Sequence, residues 1–341
     1  MTTRIGIVGL GMAAEPHVQA LHALGDRVEI AAAYSPTPAR RAAFAERHRV
    51  PIADSAAAIF ADPAIGTVLI LTPPNTHLEL VAAAARAGKN IILEKPLDIS
   101  LERAEAIVAT CRQQGVALGI VFQNRYRPAS RALLELVRGG RLGRLLSASV
   151  RVDNWRPQSY YDEPGRGTRA RDGGGVLLTQ AIHTIDLFLA ATGLPDEIVG
   201  HAATSPVHRM ETEDVAAALL HFPGGAMGTL SATTAAWPGL PERIDLVGEH
   251  GAAQLVGAHF VARFHDGSSV TAGAPPAETG AVVPVMAAGH ELHQALIEEF
   301  LAALDTGRPP PVGGDDALNA HRVIDAILRS SLEHRPVRLV P

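Results

Sequence analysis

The sequence predicts an α/β protein in which a doubly wound parallel sheet precedes an α+β domain with an open, mainly antiparallel sheet. Through about residue 120, strand-like runs alternate with helix-like segments, a spacing typical of parallel sheets covered on both faces. Beyond Phe122, strand-like runs follow one another with turns between them, which indicates antiparallel pairing. A glycine-rich turn directly after the first run is the third observation.

The first domain is predicted to span residues 1–122. Its strand-like runs are short, apolar and rich in β-branched residues, and they span residues 4–8, 28–34, 67–71, 90–93 and 117–121. The segments with helical periodicity are residues 13–24, 38–48, 76–87 and 101–114. Gly88 suits the end of the third helix, because glycine readily adopts the left-handed conformation found there.

The second domain is predicted to span residues 123–341. Its predicted strands are residues 144–154, 198–204, 214–222, 226–234, 242–248 and 253–264. Pro223-Gly224-Gly225 predicts a hairpin turn between two of them. A helix is expected over residues 176–192 and two more over 292–305 and 315–332, and the segment 272–289, rich in Ala, Gly and Pro, predicts a loop.

Composition and charge exclude several classes of protein. The chain has 341 residues, a net charge of −5 and 47% hydrophobic residues, so it is too apolar for a disordered chain and too acidic for a typical nucleic-acid or membrane-surface protein. We see no apolar run long enough to cross a membrane, and the N-terminus predicts a strand instead of a signal peptide. The single cysteine, Cys111, excludes an internal disulfide and fits a reducing compartment, so we expect a cytoplasmic protein with a small-molecule partner. No Cys/His spacing predicts a metal site.

Lysine is nearly absent from this chain. Of the 30 basic residues, only Lys89 and Lys95 are lysines. A coding bias toward arginine explains why lysine is rare but not why these two remain. Lys89 lies between a predicted helix and strand, where we expect a surface or loop role.

The turn after the first strand has the G-x-G-x-x-A pattern of a dinucleotide-binding loop. Gly9 permits the tight turn, Gly11 lets the main chain approach a pyrophosphate, and Ala14 permits close packing of helix and strand. The phosphates would meet the N–H groups at the helix N-terminus. Glycine-rich turns of this kind also occur without a ligand. The predicted cofactor contacts here are Gly9, Leu10, Gly11, Met12 and Ala13.

The end of the second strand predicts which dinucleotide is bound. An acidic residue here would bind the ribose 2′-hydroxyl of NAD, but the chain has Ser35, Thr37, Arg40 and Arg41 instead. Hydroxyls and a guanidinium suit a 2′-phosphate, so we predict NADP in preference to NAD, with contacts from Ser35, Thr37 and Arg40. The alternatives are that both arginines lie on a solvated helix face, or that both cofactors are accepted.

A further loop follows the third strand, at the carboxyl end of a predicted parallel sheet, where ligands bind. Its predicted cofactor contacts are Thr72, Pro73, Asn75 and His77. Thr76 also suits a helix N-cap, a structural role that is compatible with ligand binding.

Glu94-Lys95-Pro96 follows the fourth strand, and a glycine-rich segment, residues 173–186, lies further along the chain. With residues 9–14 and 72–77, these motifs make the chain resemble the Gfo/Idh/MocA oxidoreductase family over nearly its whole length. The resemblance implies an N-terminal Rossmann domain, a C-terminal domain with an open antiparallel sheet, and a homodimer or homotetramer built on that sheet.

In the family, the lysine that matches Lys95 assists proton transfer at the carbon that exchanges a hydride with nicotinamide. Oxidation of an alcohol requires a base for the O–H proton, and reduction of a carbonyl requires the reverse. Lysine can titrate when it is desolvated, whereas arginine cannot. The resemblance also puts Glu94 and Lys95 beside the cofactor.

The second motif supplies candidate substrate residues. Thr179 and His183 are four residues apart, so they share one face of an α-helix, and Asp186 can orient His183 or serve as a structural partner. Many family members have an aspartate where this chain has Thr179. Thr179 can hydrogen-bond a substrate hydroxyl but cannot act as a carboxylate base, which leaves the proton work to Lys95 and His183.

The resemblance also implies contacts from two arginine- and aromatic-rich segments. Gln123, Trp155 and Arg156 are expected near the cofactor. Arg125, Tyr161 and Arg166 are expected at the substrate, because aromatic faces suit a sugar ring and arginine suits a carboxylate or phosphate. Surface ion pairs are the alternative role for these arginines.

The function expected from these features is that of an NAD(P)-dependent oxidoreductase acting on a hydroxyl or carbonyl of a sugar, cyclic polyol or sugar derivative. Two alternatives remain open. One is a redox-assisted glycosidase or lyase in which the cofactor is oxidised only transiently, and the other is a cofactor-binding sensor without turnover. Sensors of this kind tend to lose the lysine, and this chain retains Lys95.

Overall fold

A computed structural model describes residues 2–275 and 289–339. Most of the predicted loop over residues 272–289 lies outside these ranges. The described residues divide into two compact units, residues 2–123 with 289–318 and residues 124–275 with 319–339. The assignment of cofactor binding to residues 1–122 and of substrate binding to 123–341 stays a prediction. Within the described ranges, every helix is too short or too polar to cross a membrane.

Strands and helices are numbered in chain order. The strands are β1 (Thr3–Val8), β2 (Val28–Tyr34), β3 (Thr67–Ile70), β4 (Asn90–Leu93), β5 (Leu118–Ile120), β6 (Leu145–Asp153), β7 (Glu197–Ala203), β8 (Val215–His221), β9 (Met227–Thr233), β10 (Arg243–Gly248), β11 (Gly251–Val256), β12 (His259–Phe264), β13 (Ser269–Ala272) and β14 (Val337–Arg338). The helices are α1 (Ala14–Ala23), α2 (Pro38–His48), α3 (Ala56–Ala61), α4 (His77–Arg86), α5 (Leu101–Gln114), α6 (Pro128–Arg138), α7 (Gln158–Tyr161), α8 (Ile182–Thr192), α9 (Glu291–Asp305) and α10 (Gly314–Glu333).

The first unit contains the predicted parallel sheet, with strand order β2-β1-β3-β4-β5. Every residue of β3 is buried, as expected for a strand covered on both faces. Strand order reverses between β1 and β3, so the loops that follow β1, β3 and β4 emerge side by side at the carboxyl edge. Ligands of open parallel sheets bind at such an edge.

A segment distant in sequence completes the first unit. A Cβ on Gly119 would lie 2.6 Å from the Phe300 ring of α9, so the absence of a side chain there lets this helix pack against β5. The main-chain N–H of Ile120 also donates to the Val312 carbonyl, over 3.0 Å. Local periodicity predicts α9 as a helix but does not assign it to this unit.

The second unit contains a nine-stranded sheet with the order β13-β12-β11-β10-β6-β9-β8-β7-β14. All neighbouring strands are antiparallel except β6 and β9, so the predicted mainly antiparallel sheet is confirmed. The single strand predicted over residues 253–264 is wrong, because it is a hairpin of β11 and β12. Gly257 has a φ of 59° in its turn, a conformation that glycine adopts without steric cost.

Candidate active site

The loop after β1, residues 9–13 (the glycine loop), lies against the end of β3. Gly9 has a φ of 105°, and a Cβ there would lie 2.6 Å from the Leu71 carbonyl carbon and 2.8 Å from the Thr72 nitrogen. A Cβ on Gly11 would meet no atom within 4 Å. Gly9 therefore permits the close approach of two loops, and Gly11 leaves open space in front of the helix α1, which begins at Ala14. This arrangement fits the pyrophosphate of a dinucleotide.

The other predicted contacts in the glycine loop differ in exposure. Leu10 is buried, whereas Met12 is 66% exposed and Ala13 immediately precedes α1. The backbone of this loop is held by a hydrogen bond from the Gly9 N–H to the Tyr34 carbonyl, over 2.9 Å. The loop therefore offers its main chain, rather than polar side chains, to a ligand.

At the end of β2, the side chains of the predicted ribose site have separate tasks. Ser35 is buried, and its hydroxyl accepts from the Thr37 N–H over 3.4 Å. Arg41 donates to the Ser35 carbonyl over 2.7 Å and lies over the Tyr34 ring, 5.8 Å from its centroid. Arg40 is exposed on α2. Of the two arginines, Arg41 is therefore part of the local structure, and Arg40 extends into solvent.

The loop after β3, residues 72–76 (the Thr72 loop), is stabilised internally. The Thr76 hydroxyl donates to the Thr72 hydroxyl over 2.7 Å, and α4 is capped instead by Asp98, whose carboxylate accepts from the Leu78 N–H over 3.0 Å. Pro73 and Asn75 are exposed, whereas His77 is completely buried. Thr76 is the N-cap residue of α4, as suggested, but its side chain does not cap the helix, since its hydroxyl is used within the loop.

The loop after β4, residues 94–97 (the Lys95 loop), is anchored by a half-buried carboxylate. Glu94 accepts from the Lys95 N–H over 3.1 Å and pairs with His17 Nε2 over 2.9 Å. Burial alone would raise the pKa of Glu94, but the hydrogen bond and charge of His17 and the charge of Lys95 outweigh it and hold that pKa below its usual range. Glu94 is therefore ionised at neutral pH.

His293 of α9 completes this cluster. Its ring packs edge-on against His17, with centroids 4.7 Å apart. Burial, together with the charge of His17, lowers the pKa of His293 to about 4. A half-buried, neutral imidazole therefore lies beside the His17–Glu94 pair at physiological pH.

Lys89 differs from the sequence-based expectation. The predicted surface role is wrong, because only 6% of Lys89 is exposed and its ammonium group donates to the Asp62 and Ile65 carbonyls over 2.7 and 2.8 Å. A buried ammonium requires such acceptors. Lys89 thus joins the start of β4 to the chain before β3, which is a structural task.

In the second unit, a buried carboxylate shapes the glycine-rich segment. Glu213 accepts from the Gly175 N–H over 3.0 Å and from the Leu177 N–H over 3.1 Å. A Cβ on Gly175 would lie 1.7 Å from the Glu213 carbonyl oxygen, so only glycine fits this position. Burial raises the pKa of Glu213.

The predicted continuous α-helix over residues 176–192 is wrong in its first part. Leu177–Ala181 is a π-helical turn, and α8 begins at Ile182. The Thr179 hydroxyl donates to the Gly175 carbonyl over 2.6 Å and also contacts the Gln180 side chain. Because the π turn contains more residues than an α turn, the four-residue spacing of Thr179 and His183 does not establish a shared face. Such turns occur frequently at functional sites.

Arg125 and Asp186 form a buried ion pair within the second unit. The Nε and one terminal nitrogen of Arg125 donate to the two carboxylate oxygens of Asp186 over 2.7 and 2.6 Å. A two-point arginine–carboxylate pair fixes both side chains. Asp186 is therefore a structural partner of Arg125. His183, which lies on the same helix α8, is half-buried. The predicted substrate contact of Arg125 stays a prediction.

An aromatic cluster lies in the same unit. The Tyr161 hydroxyl is 2.8 Å from the Thr234 hydroxyl, and burial raises the pKa of Tyr161 to about 12. Arg166 lies over the Tyr160 ring at 4.3 Å from its centroid and donates to its hydroxyl over 2.8 Å. Arg156 lies over the same ring at 5.6 Å. The structure thus brings together Arg156, Arg166 and the two tyrosines.

Sequence reasoning did not identify several residues that shape these regions, His293 among them. Trp237, which is 73% exposed, packs edge-on against Trp155 at 5.5 Å between centroids. His208 bonds Asp214 over 2.6 Å. His17 lies three residues after Ala14, one helical turn into α1, and Glu213 precedes β8. Of these, only His17 had a local signal, because a histidine on the apolar side of α1 is unusual.

Gln123, a predicted cofactor contact, begins a short 3₁₀ turn at the end of the first unit's opening segment.

Comparisons with known proteins agree with this architecture. Residues 3–122 match the model of an oxidoreductase family with an NAD-binding Rossmann fold, and residues 130–254 match that of the GFO/IDH/MocA C-terminal domain. Inositol 2-dehydrogenase of Rhizobium meliloti (strain 1021) is 28% identical over 99% of this chain and 100% of its own length. The 1,5-anhydro-D-fructose reductase of Ensifer adhaerens is 30% identical over 66% of this chain and 67% of its own.

A solved structure is also similar over the full length. It is the WlbA dehydrogenase of Bordetella pertussis in complex with NADH and UDP-GlcNAcA, with a TM-score of 0.85, 26% identity and coverage of 100% of both chains. The predicted combination of a parallel sheet and a second, mainly antiparallel sheet is therefore confirmed.

Proposed function

The chain belongs to the GFO/IDH/MocA oxidoreductase family, and from that premise we propose that it transfers a hydride between a nicotinamide dinucleotide and a sugar, cyclic polyol or sugar derivative. The observation that carries the proposal is the carboxyl edge of the first sheet. There the glycine loop contacts the Thr72 loop, and the strands β3 and β4 that lead to the Thr72 and Lys95 loops are hydrogen-bonded neighbours. The relatives named above act on polyols and sugars or bind a nucleotide sugar, which supports this substrate class.

The residues of the glycine loop would hold the pyrophosphate through main-chain N–H groups, and Thr72, Pro73 and Asn75 would line the neighbouring loop. When bound, the nicotinamide accepts a hydride from the substrate carbon or returns one to it. Gln123, Trp155 and Arg156 are proposed as further cofactor contacts. The complete burial of His77 favours a role in holding the loop instead of the predicted contact with the cofactor.

Lys95 is the proposed proton-transfer group, assisted by His183. In the oxidative direction, the Lys95 amine takes the proton of the substrate hydroxyl while the hydride leaves the same carbon, so a carbonyl forms. In reduction, the ammonium group returns that proton and stabilises the developing alkoxide. Thr179, Arg125, Tyr161 and Arg166 are the proposed substrate contacts. Tyr161, with its raised pKa, would act as a neutral hydrogen-bonding group.

NADP is the proposed preferred cofactor. Ser35, Thr37 and Arg40 supply hydroxyls and an exposed guanidinium where an acidic residue would select NAD. The NADH found in the WlbA dehydrogenase structure makes NAD the alternative that must be tested directly. Titration of intrinsic fluorescence with NADPH and NADH tests the preference, and tighter binding of NADH would refute it.

Self-association is proposed through the outer face of the second sheet. Val247, Leu219 and Met227 lie on the outer side of β10, β8 and β9 and are 40%, 55% and 60% exposed, although large apolar side chains usually avoid solvent. We propose that a second copy of the chain covers this face and forms a homodimer or homotetramer. Light scattering after size-exclusion chromatography should show a loss of oligomer in Leu219→Glu, whereas a wild-type monomer would contradict the proposal.

A panel of polyols, sugars and their carbonyl derivatives, monitored at the nicotinamide absorbance, tests the proposed reaction. We expect at least one compound in the panel to produce net formation or consumption of reduced cofactor. Tight cofactor binding without net turnover would instead favour transient redox chemistry or a sensor.

A further inference from the structure

The ring of His77 lies between two loops of the first unit. Its Nε2 is 2.8 Å from the Thr72 carbonyl oxygen, and its Nδ1 is 3.1 and 3.0 Å from the carbonyl oxygens of Pro96 and Leu97. His77 is completely buried. One imidazole therefore joins the first residue of the Thr72 loop to the last two residues of the Lys95 loop.

The neighbours of this ring determine what it can do. A carbonyl oxygen only accepts hydrogen bonds, and burial lowers the pKa of His77, so the neutral ring donates its single N–H to one of the two loops and packs against the other. Because these acceptors belong to the main chain, any side chain at positions 72, 96 and 97 would present the same groups. The group that holds the loop is the N–H donor at position 77. Phenylalanine has no such donor, whereas glutamine keeps an amide N–H.

The opposite end of the Lys95 loop is held by a second buried histidine. His17 of α1 bonds Glu94, and the same carboxylate accepts from the Lys95 N–H. The loop is thus anchored at Glu94 from α1 and at Pro96 and Leu97 from the start of α4. Lys95 lies between these two anchor points, so its main chain cannot shift unless one of the histidine contacts breaks.

We propose that His77 is a positioning residue that fixes the Lys95 main chain relative to the Thr72 loop. This inference rests on the proposed function, because it concerns the residue assigned to proton transfer. His77 itself remains out of reach of substrate and cofactor, since no part of it is exposed. A displacement of about 1 Å in a reacting group costs on the order of 100-fold in rate, so the loss of one anchor should affect turnover.

Four variants of the full-length protein test this inference. His77→Phe removes the ring N–H at similar volume, His77→Gln retains a donor, Lys95→Met removes the amine, and His48→Gln is the matched control. His48 lies in the same unit and is only 11% exposed in its side chain, but its ionic contact is with Glu15 rather than with the Lys95 loop. For each variant we would measure the melting temperature, cofactor affinity, kcat, KM, and amide hydrogen exchange of peptides covering residues 93–99.

We expect His77→Phe to lower kcat by about 10- to 100-fold while cofactor affinity changes by less than about threefold. Exchange in the peptides covering the Lys95 loop should accelerate without cofactor present, which reports on the loop independently of catalysis. His77→Gln should recover part of both quantities, and His48→Gln should match the wild type.

Unchanged kcat and unchanged exchange in His77→Phe would overturn the inference. If this variant fails to fold, His77→Gln decides, because a folded glutamine variant with wild-type kcat and exchange would overturn it equally. Failure of the proposed function has a different signature. In that case Lys95→Met retains full turnover, while the exchange data still show whether His77 holds the loop.

Discussion

The candidate cofactor loops of the first unit are shaped mainly by main-chain contacts, whereas the candidate substrate residues of the second unit hold one another through their side chains. In the first unit, Gly9 lies against Leu71 and Thr72, and His77 bonds only to carbonyl oxygens. In the second unit, the tyrosine–arginine cluster and the Arg125–Asp186 pair are contacts between side chains. Under the proposed function, the cofactor would be held by backbone geometry, whereas substrate recognition would depend on particular side-chain networks.

The largest expected effect is a loss of stability of the second unit when Gly175 is substituted. In Gly175→Ala, the added methyl would overlap the Glu213 carbonyl, so the glycine-rich segment must move and its hydrogen bonds to Glu213 are lost. We expect the second unit to lose cooperative folding, at a cost of about 4 kcal/mol or more. Calorimetry measures this loss. The control is Gly66→Ala, where a Cβ would meet no atom within 4 Å, and equal stability of the two variants would show that the overlap is relieved cheaply.

The next effect distinguishes two glycines of the first unit. Gly9→Ala should destabilise the fold by about 1–3 kcal/mol, because its φ is positive and the new methyl meets backbone atoms. Gly11→Ala should leave the melting temperature nearly unchanged but weaken cofactor binding by at least about tenfold, because its methyl enters the proposed pyrophosphate space. Thermal unfolding and cofactor titration give both quantities. Normal cofactor affinity in Gly11→Ala would mean that the pyrophosphate lies elsewhere.

An effect that is smaller per pH unit appears as acid sensitivity of the first unit. The pKa of His293 is about 4 in the folded chain and 6.5 ordinarily, so the unfolded chain binds an extra proton between these values. Stability should therefore fall as pH decreases from about 6.5 to 4, by up to about 1.4 kcal/mol per pH unit from this residue. Urea unfolding of His293→Phe across this range should show a shallower decline than the wild type. Parallel curves for the two proteins would contradict the assigned pKa shift.

The smallest expected effect concerns cofactor choice. Arg40→Ala should weaken NADPH binding by about three- to tenfold and leave NADH binding unchanged, because an exposed ion pair contributes about 1 kcal/mol. Arg47→Ala, at the other end of α2, is the matched control. Equal loss of affinity for both dinucleotides in Arg40→Ala would remove the argument for NADP.

The sequence was most informative where the main chain is constrained. The glycine loop and the five parallel strands follow from glycine spacing and apolar runs, because tight turns and buried strands demand particular residues. The π turn before α8 and the hairpin of β11 and β12 did not follow, since both depend on contacts with residues distant in sequence or on one turn glycine. Pairs such as Arg125–Asp186 and Glu94–His17 could not be predicted either, because no local pattern specifies which charged residues meet.

The central claim is that Lys95 carries the proton in a hydride-transfer reaction, and Lys95→Met tests it most directly. The methionine keeps the length of the side chain and removes only the titratable amine. With the substrate identified from the panel, single-turnover absorbance measurements should show nearly normal cofactor binding and a loss of at least about 100-fold in the rate of hydride transfer. A variant that binds cofactor normally and transfers the hydride at the wild-type rate would contradict the claim.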